Sequence, residues 1–134
     1  MKRLVPLVLR VLLALIFLGA NVAAIMANMQ PPPGYPPEAW ALQEALQKSG
    51  YITLEIMVIQ VVAGALLLLN LWTPLMLVVL APITINILLF HLFMTPKVMF
   101  TVGGLGVLVF VLNMALLWIH REHYRNLLVR RTTP

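Results

Sequence analysis

Charged residues are missing from three long stretches of this chain, 11–37, 56–96 and 98–120, and the residues inside them are almost continuously apolar. One helical membrane span needs about 20 apolar residues. The middle stretch is about twice that length and is interrupted by the turn-like "NLWTP" at 70–74, so it reads as two spans joined by a hairpin. No stretch alternates polar with apolar residues as a β-barrel strand would. In lipid every backbone polar group must be paired internally, and continuous apolar runs achieve that as helices. The pattern therefore predicts an all-α membrane protein: a four-transmembrane-helix bundle, one domain over 1–134, with spans at about 4–28, 51–70, 74–95 and 98–120.

Between the first two spans lies "MQPPPGYPPEAWALQEALQKSG" (29–50). Its proline-rich first half cannot continue a helix. Its second half has Pro37 at the start, strong helix formers, and Gly50 as a stop. Trp40, Ala41, Leu42, Ala45 and Leu46 give it an apolar side. A short amphipathic helix lying on the outer membrane surface is expected here, the alternative being a lid over a cavity between the spans. Lys2 and Arg3 ahead of an apolar run also fit a signal peptide. The run from Val11 to Ala27 is longer than a signal core, which favours a first span.

Composition agrees with the pattern. The chain is 62% hydrophobic and 10% charged, with mean hydropathy +0.99 over 134 residues. A soluble domain of that size has too little interior for so much apolar surface. The net charge of +5 and pI near 10.3 come from residues beside span ends: Lys2 and Arg3 before the first, Arg121, Arg125, Arg130 and Arg131 after the last. Basic residues at span ends are retained in the cytoplasm, so both termini are expected there. They contact anionic lipid headgroups rather than nucleic acid. The polar "VRRTTP" tail (129–134) is expected to need a protein or lipid surface to hold it. There is no cysteine, which excludes thiol–disulfide chemistry and thiolate-held metals.

Small residues mark packing faces: Gly19, Ala20, Ala23, Ala24 and Ala27 in the first span, Ala63, Gly64 and Ala65 in the second, Gly103, Gly104 and Gly106 in the fourth. Against this background the intramembrane polar residues are the candidate site. They are Asn21, Glu55, Gln60, Asn86 and His91, with Arg10 and Asn113 as a second set in the inner half. If the middle spans form a hairpin, residues at equal depth have equal number sums. That places Gln60 beside Asn86 near the bilayer centre, and Glu55 beside His91 roughly 10 Å farther out, where Asn21 also lies. An acid beside an imidazole can relay protons or hold a polar headgroup; a mutually satisfied structural pair is the alternative. One objection is built in. A five-residue step turns a helix by roughly 500°, so the two polar groups of each helix stand about 140° apart and cannot share one narrow seam. Arg10 is expected to snorkel to phosphate, Pro82 to kink its span, and His120 and His123 to be solvated. No metal-ligand spacing is present.

The stretches "PPP" (31–33), "SGY" (49–51), "VVAGALLLLN" (61–70), "PLMLVVLAPITINILLFHLFMTP" (74–96) and "HREHYRNLL" (120–128) resemble the DoxX-like family of small bacterial four-helix membrane proteins. The resemblance covers nearly the whole chain, and it implies a link to quinone-coupled redox systems. Two positions depart from the family's pattern. Gln60 stands where a glutamate is usual, and "GANVAA" (19–24) replaces an element that often carries a lysine. Two functions are therefore expected to compete. One is a non-catalytic accessory subunit packed against other membrane subunits or copies of itself; the other is a quinone- or lipid-handling component with no covalently bound cofactor.

Overall fold

A computed structural model describes residues 4–31, 33–98 and 104–128, and all regular structure among them is helical. The helices are α1 (Leu4–Met26), α2 (Pro37–Lys48), α3 (Ile52–Leu68), α4 (Thr73–Phe93) and α5 (Gly104–Ile119). A 3-10 turn covers Pro96–Val98 and a 3-10 segment covers Arg121–Leu128. These bounds lie within a few residues of the expected ones, except that residue 98, expected to open the fourth span, belongs to the 3-10 turn. The "VRRTTP" tail lies outside the described residues.

Asparagine ends two of the helices. Asn28 and Asn70 take positive φ, 50° and 57°, a conformation asparagine tolerates better than most residues. At α1 the Met29 N–H bonds Ala24 O and the Asn28 N–H bonds Ile25 O; at α3 the Leu71 N–H bonds Leu66 O and the Asn70 N–H bonds Leu67 O. Each is a Schellman closure that satisfies carbonyls the helix would leave bare. The closure at Asn70 makes the α3–α4 connection tight. Thr73 Oγ1 then donates to Asn70 Oδ1 at 3.2 Å and Pro74 sits in the first turn of α4, where its missing N–H is harmless.

Around the bundle the order is α1, α3, α4, α5, with α5 closing back on α1. Neighbours run antiparallel: Asn21 meets Gln60 while Gly64 lies against Ala14 and Leu18, and His91 meets Gly106 while Thr84 meets Asn113. The α1–α3 seam closes on small residues. A Cβ at Gly64 would stand 3.2 Å from Leu18 Cγ and 3.4 Å from the Ala14 carbonyl oxygen, so the absent side chain sets the helix spacing. Leu13, Phe17, Leu67, Leu77, Leu80, Leu112 and Leu116 fill the interior.

Two helices, α1 and α4, are each long and apolar enough to cross a membrane. Helix α2 meets α3 at 89°, and the two would count as a third if taken as one broken span. α4 continues through Pro82 as one helix. Two residues on, Thr84 Oγ1 donates to Ala81 O at 3.0 Å and accepts from Asn113 Nδ2 at 3.1 Å. Asn113 is fully buried and its Oδ1 has no partner among the described residues.

Candidate functional site

At the α2 end of the bundle, three helices bring polar groups to one level. Asn21, buried on α1, donates from Nδ2 to its own helix at Phe17 O (2.8 Å) and across to Gln60 Oε1 on α3 (2.9 Å). Gln60 Nε2 has no acceptor among the described residues. Opposite, His91 of α4 shares its Nδ1 with Thr95 Oγ1 at 2.8 Å, and Thr95 is itself buried. The Cδ2–Nε2 edge of the imidazole lies on the backbone of Gly106: a Cβ there would collide with the ring, standing 2.7 Å from Nε2.

Two adjoining clefts run through this level. One, of about 230 Å³, is walled by Ile16, Phe17, Ile87 and Val109 and carries Gln60, His91 and Gly106. The other, of about 270 Å³, is lined by Asn21, Met57 and Gln60 and by Gln43, Leu46 and Gln47 of α2. Ala20 and Gln60 line both. Helix α2 thus contributes part of the wall of a cleft. Beside it the 29–36 loop is pinned where Tyr35 stacks on Phe90 at 6.4 Å and accepts from Gln43 Nε2 at 3.3 Å; burial raises the Tyr35 phenol above its usual pKa.

Both pairings expected from depth are corrected. Asn86 does not meet Gln60, and Glu55 does not meet His91: Asn86 and Glu55 are exposed on the outside of their helices. The cause is the 140° offset. With Gln60 and His91 turned inward, the residues five positions away must face out on both helices. Gln60 is satisfied by helix α1 through Asn21 instead. Glu55 falls in the first turn of α3, where a carboxylate suits the positive end of the helix dipole. Without an acid beside it, His91 has no relay partner. Among the described residues no three His, Asp or Glu gather closely enough to hold a metal ion.

The inner set is also not a pair. Asn113 bonds Thr84, whereas Arg10 lies about a turn nearer the opposite end of the bundle, lining a cleft with Asn70 and His120. The antiparallel register separates them. His120, expected to be solvated, is half-buried and its Nδ1 donates to Leu116 O at 2.9 Å. Four residues that matter here were not singled out as site residues: Thr84, Thr95, Gly106 and Asn70. Thr95 had a local signal, standing four residues after His91; Thr84 and Gly106 acquire their roles only across helices.

No protein-family model, no curated protein and no solved structure matches the chain.

Proposed function

We propose that the chain is a DoxX-like protein of the bacterial cytoplasmic membrane, acting as a non-catalytic accessory subunit that packs against another membrane subunit or a second copy of itself. The observation that carries this is Asn86. Its amide faces outward, with no partner among the described residues, close to the middle of α4. It belongs to an outward stripe of Leu75, Val79, Pro82, Asn86, Leu89 and Phe93, spaced alternately by four and three residues, the spacing with which one helix seats along another. An amide in hydrocarbon without a partner is costly, and a helix presenting a hydrogen-bonding group satisfies it.

Four spans with both termini cytoplasmic fit the same picture. At 1.5 Å per residue, α3 and the described part of α5 extend roughly 25 Å, nearly the ~30 Å core, and they lie antiparallel beside the longer α1 and α4. Exposed Trp72 and Trp118 share one end of the bundle, where Arg121 lies 5.0 Å over the Trp118 ring, and exposed Tyr51 marks the other. Aromatic residues are enriched at both membrane interfaces.

The test is purification in mild detergent with mass determination and mass spectrometry of co-purifying proteins. The wild-type chain is expected above its monomer mass, and Asn86→Leu is expected to lose that assembly while remaining folded. A wild-type monomer, or an Asn86→Leu protein in an unchanged assembly, would overturn the reading.

A second reading has its own observation. The paired clefts under α2 are apolar chambers with an amide and an imidazole on opposite walls, which suits the polar head of a quinone or lipid. Extraction and mass spectrometry of bound amphiphiles, wild type against Gln60→Leu, tests it. An amphiphile lost from the variant favours handling of quinone or lipid; none in the wild type removes this reading.

A further inference from the structure

We infer that the end of the bundle opposite α2 holds a binding site for a phosphate-bearing anion, built on Arg10. This goes beyond the subunit reading and does not depend on it.

Arg10 is 8% exposed, and its Nη1 is buried without a hydrogen-bond partner among the described residues. It stands six residues after Leu4, roughly 9 Å from the start of α1, so its head is held inside the bundle end rather than extended to the surface. A guanidinium does not lose its proton in proteins, and a buried charge without a counter-charge is strongly unfavourable. The chain offers no acid to supply one. Its acidic residues number four. Glu38 and Glu44 are on α2 and Glu55 is in the first turn of α3, all at the far end. Glu122 is engaged by Arg125 at 3.0 Å and Arg121 at 3.9 Å. No acidic side chain among the described residues supplies the counter-charge, which leaves that place to a bound anion.

The surroundings of Arg10 are prepared for it. A cleft of about 290 Å³ is lined by Pro6, Leu7, Arg10, Asn70 and His120, many times the ~30 Å³ share of one water. The polar residues converge from three places: helix α1, the α3–α4 turn and the end of α5. Asn70 has its Oδ1 occupied by the Thr73 hydroxyl, which leaves its Nδ2 as a donor. The Nδ1–H of His120 is committed to the Leu116 carbonyl, which leaves Nε2 of that tautomer as an acceptor for a hydroxyl of the ligand rather than a donor to its phosphate oxygens. Asn70, although exposed, is fixed at positive φ by the closure of α3, and half-buried His120 is fixed by its bond to α5. A guanidinium fork with an amide N–H beside it matches a tetrahedral oxyanion. Its source is either the phosphate of an anionic phospholipid entering from the membrane interface or free phosphate from solution.

The full chain, purified in a neutral detergent and stripped of lipid, would be titrated with short-chain phosphatidylglycerol, short-chain phosphatidylcholine or sodium phosphate. Thermal melting and native mass spectrometry would report binding. Phosphatidylglycerol is expected to add one tightly retained molecule and raise the melting temperature. Arg10→Gln is expected to weaken that binding about tenfold or more, with Arg10→Lys between the two. Asn70→Gly, which keeps the backbone conformation but removes the amide, is expected to weaken it less. An Arg10-dependent effect of phosphatidylglycerol alone identifies a headgroup site, and an equal effect of phosphate alone identifies a soluble anion; both support the assignment. Equal binding of phosphatidylglycerol and phosphatidylcholine, or equal binding by wild type and Arg10→Gln, overturns it. Should Arg10→Gln fail to fold, Asn70→Gly and His120→Gln decide: unchanged phosphatidylglycerol binding in both overturns the site.

Discussion

The imidazole of His91 rests directly on the backbone of Gly106, so the α4–α5 contact at this level is ring against bare main chain. Ile87 Cγ2 would stand 3.0 Å from a Cβ at the same position, and Thr95 holds the far side of the ring.

Gly106→Ala is therefore expected to destabilise the protein by about 1–3 kcal/mol, the usual cost of overpacking. Thermal melting in detergent measures it. His91→Ala in the same chain should restore part of the loss, because it removes the colliding ring. Two additive losses would mean that the pair is not in contact.

Cysteine labelling can establish topology without background, since the chain has no cysteine of its own. Single Glu38→Cys and His123→Cys substitutions in sealed membranes are expected to react from opposite sides, Glu38→Cys from outside. Labelling from the same side would exclude an even number of spans with cytoplasmic ends.

Tyr124 fastens the C-terminal 3-10 segment by donating from its hydroxyl to Pro74 O at 3.1 Å, and burial raises its pKa above the ordinary value of about 10. A phenol whose folded pKa exceeds its unfolded one stabilises the fold fully below the unfolded value. That contribution is lost as pH rises through the folded pKa. Wild type should therefore lose melting temperature above about pH 10 more steeply than Tyr124→Phe, with the two curves parallel at neutral pH. Parallel curves throughout would show that the bond to Pro74 O does not hold the segment.

The helices were legible because their cause is local. Uncharged runs near the length a bilayer demands, "NLWTP" between two of them, and Pro37 and Gly50 around α2 are properties of short stretches. They located each helix to within a few residues where it is described. Depth was legible only in part: Asn21 and His91 share the α2 end of the bundle as expected, whereas Gln60, expected at the centre beside Asn86, joins Asn21 there. Rotation was not. Along α3 only the small residues Ala63, Gly64 and Ala65 mark the face toward protein, and along α4 no such stripe does; the hydrophobic effect does not choose between protein and lipid as apolar surroundings. That choice came from close packing across helices: Gly64 against Ala14 and Leu18, Gly106 under His91, Thr84 beside Asn113. Once those contacts turned Gln60 and His91 inward, the 140° step put Glu55 and Asn86 outside. The same packing brought Arg10, Asn70 and His120 together from three distant parts of the chain. Sequence alone determined which stretches are helical. Tertiary packing alone decided which way each polar side chain faces, because only contact between helices breaks the symmetry of an apolar cylinder.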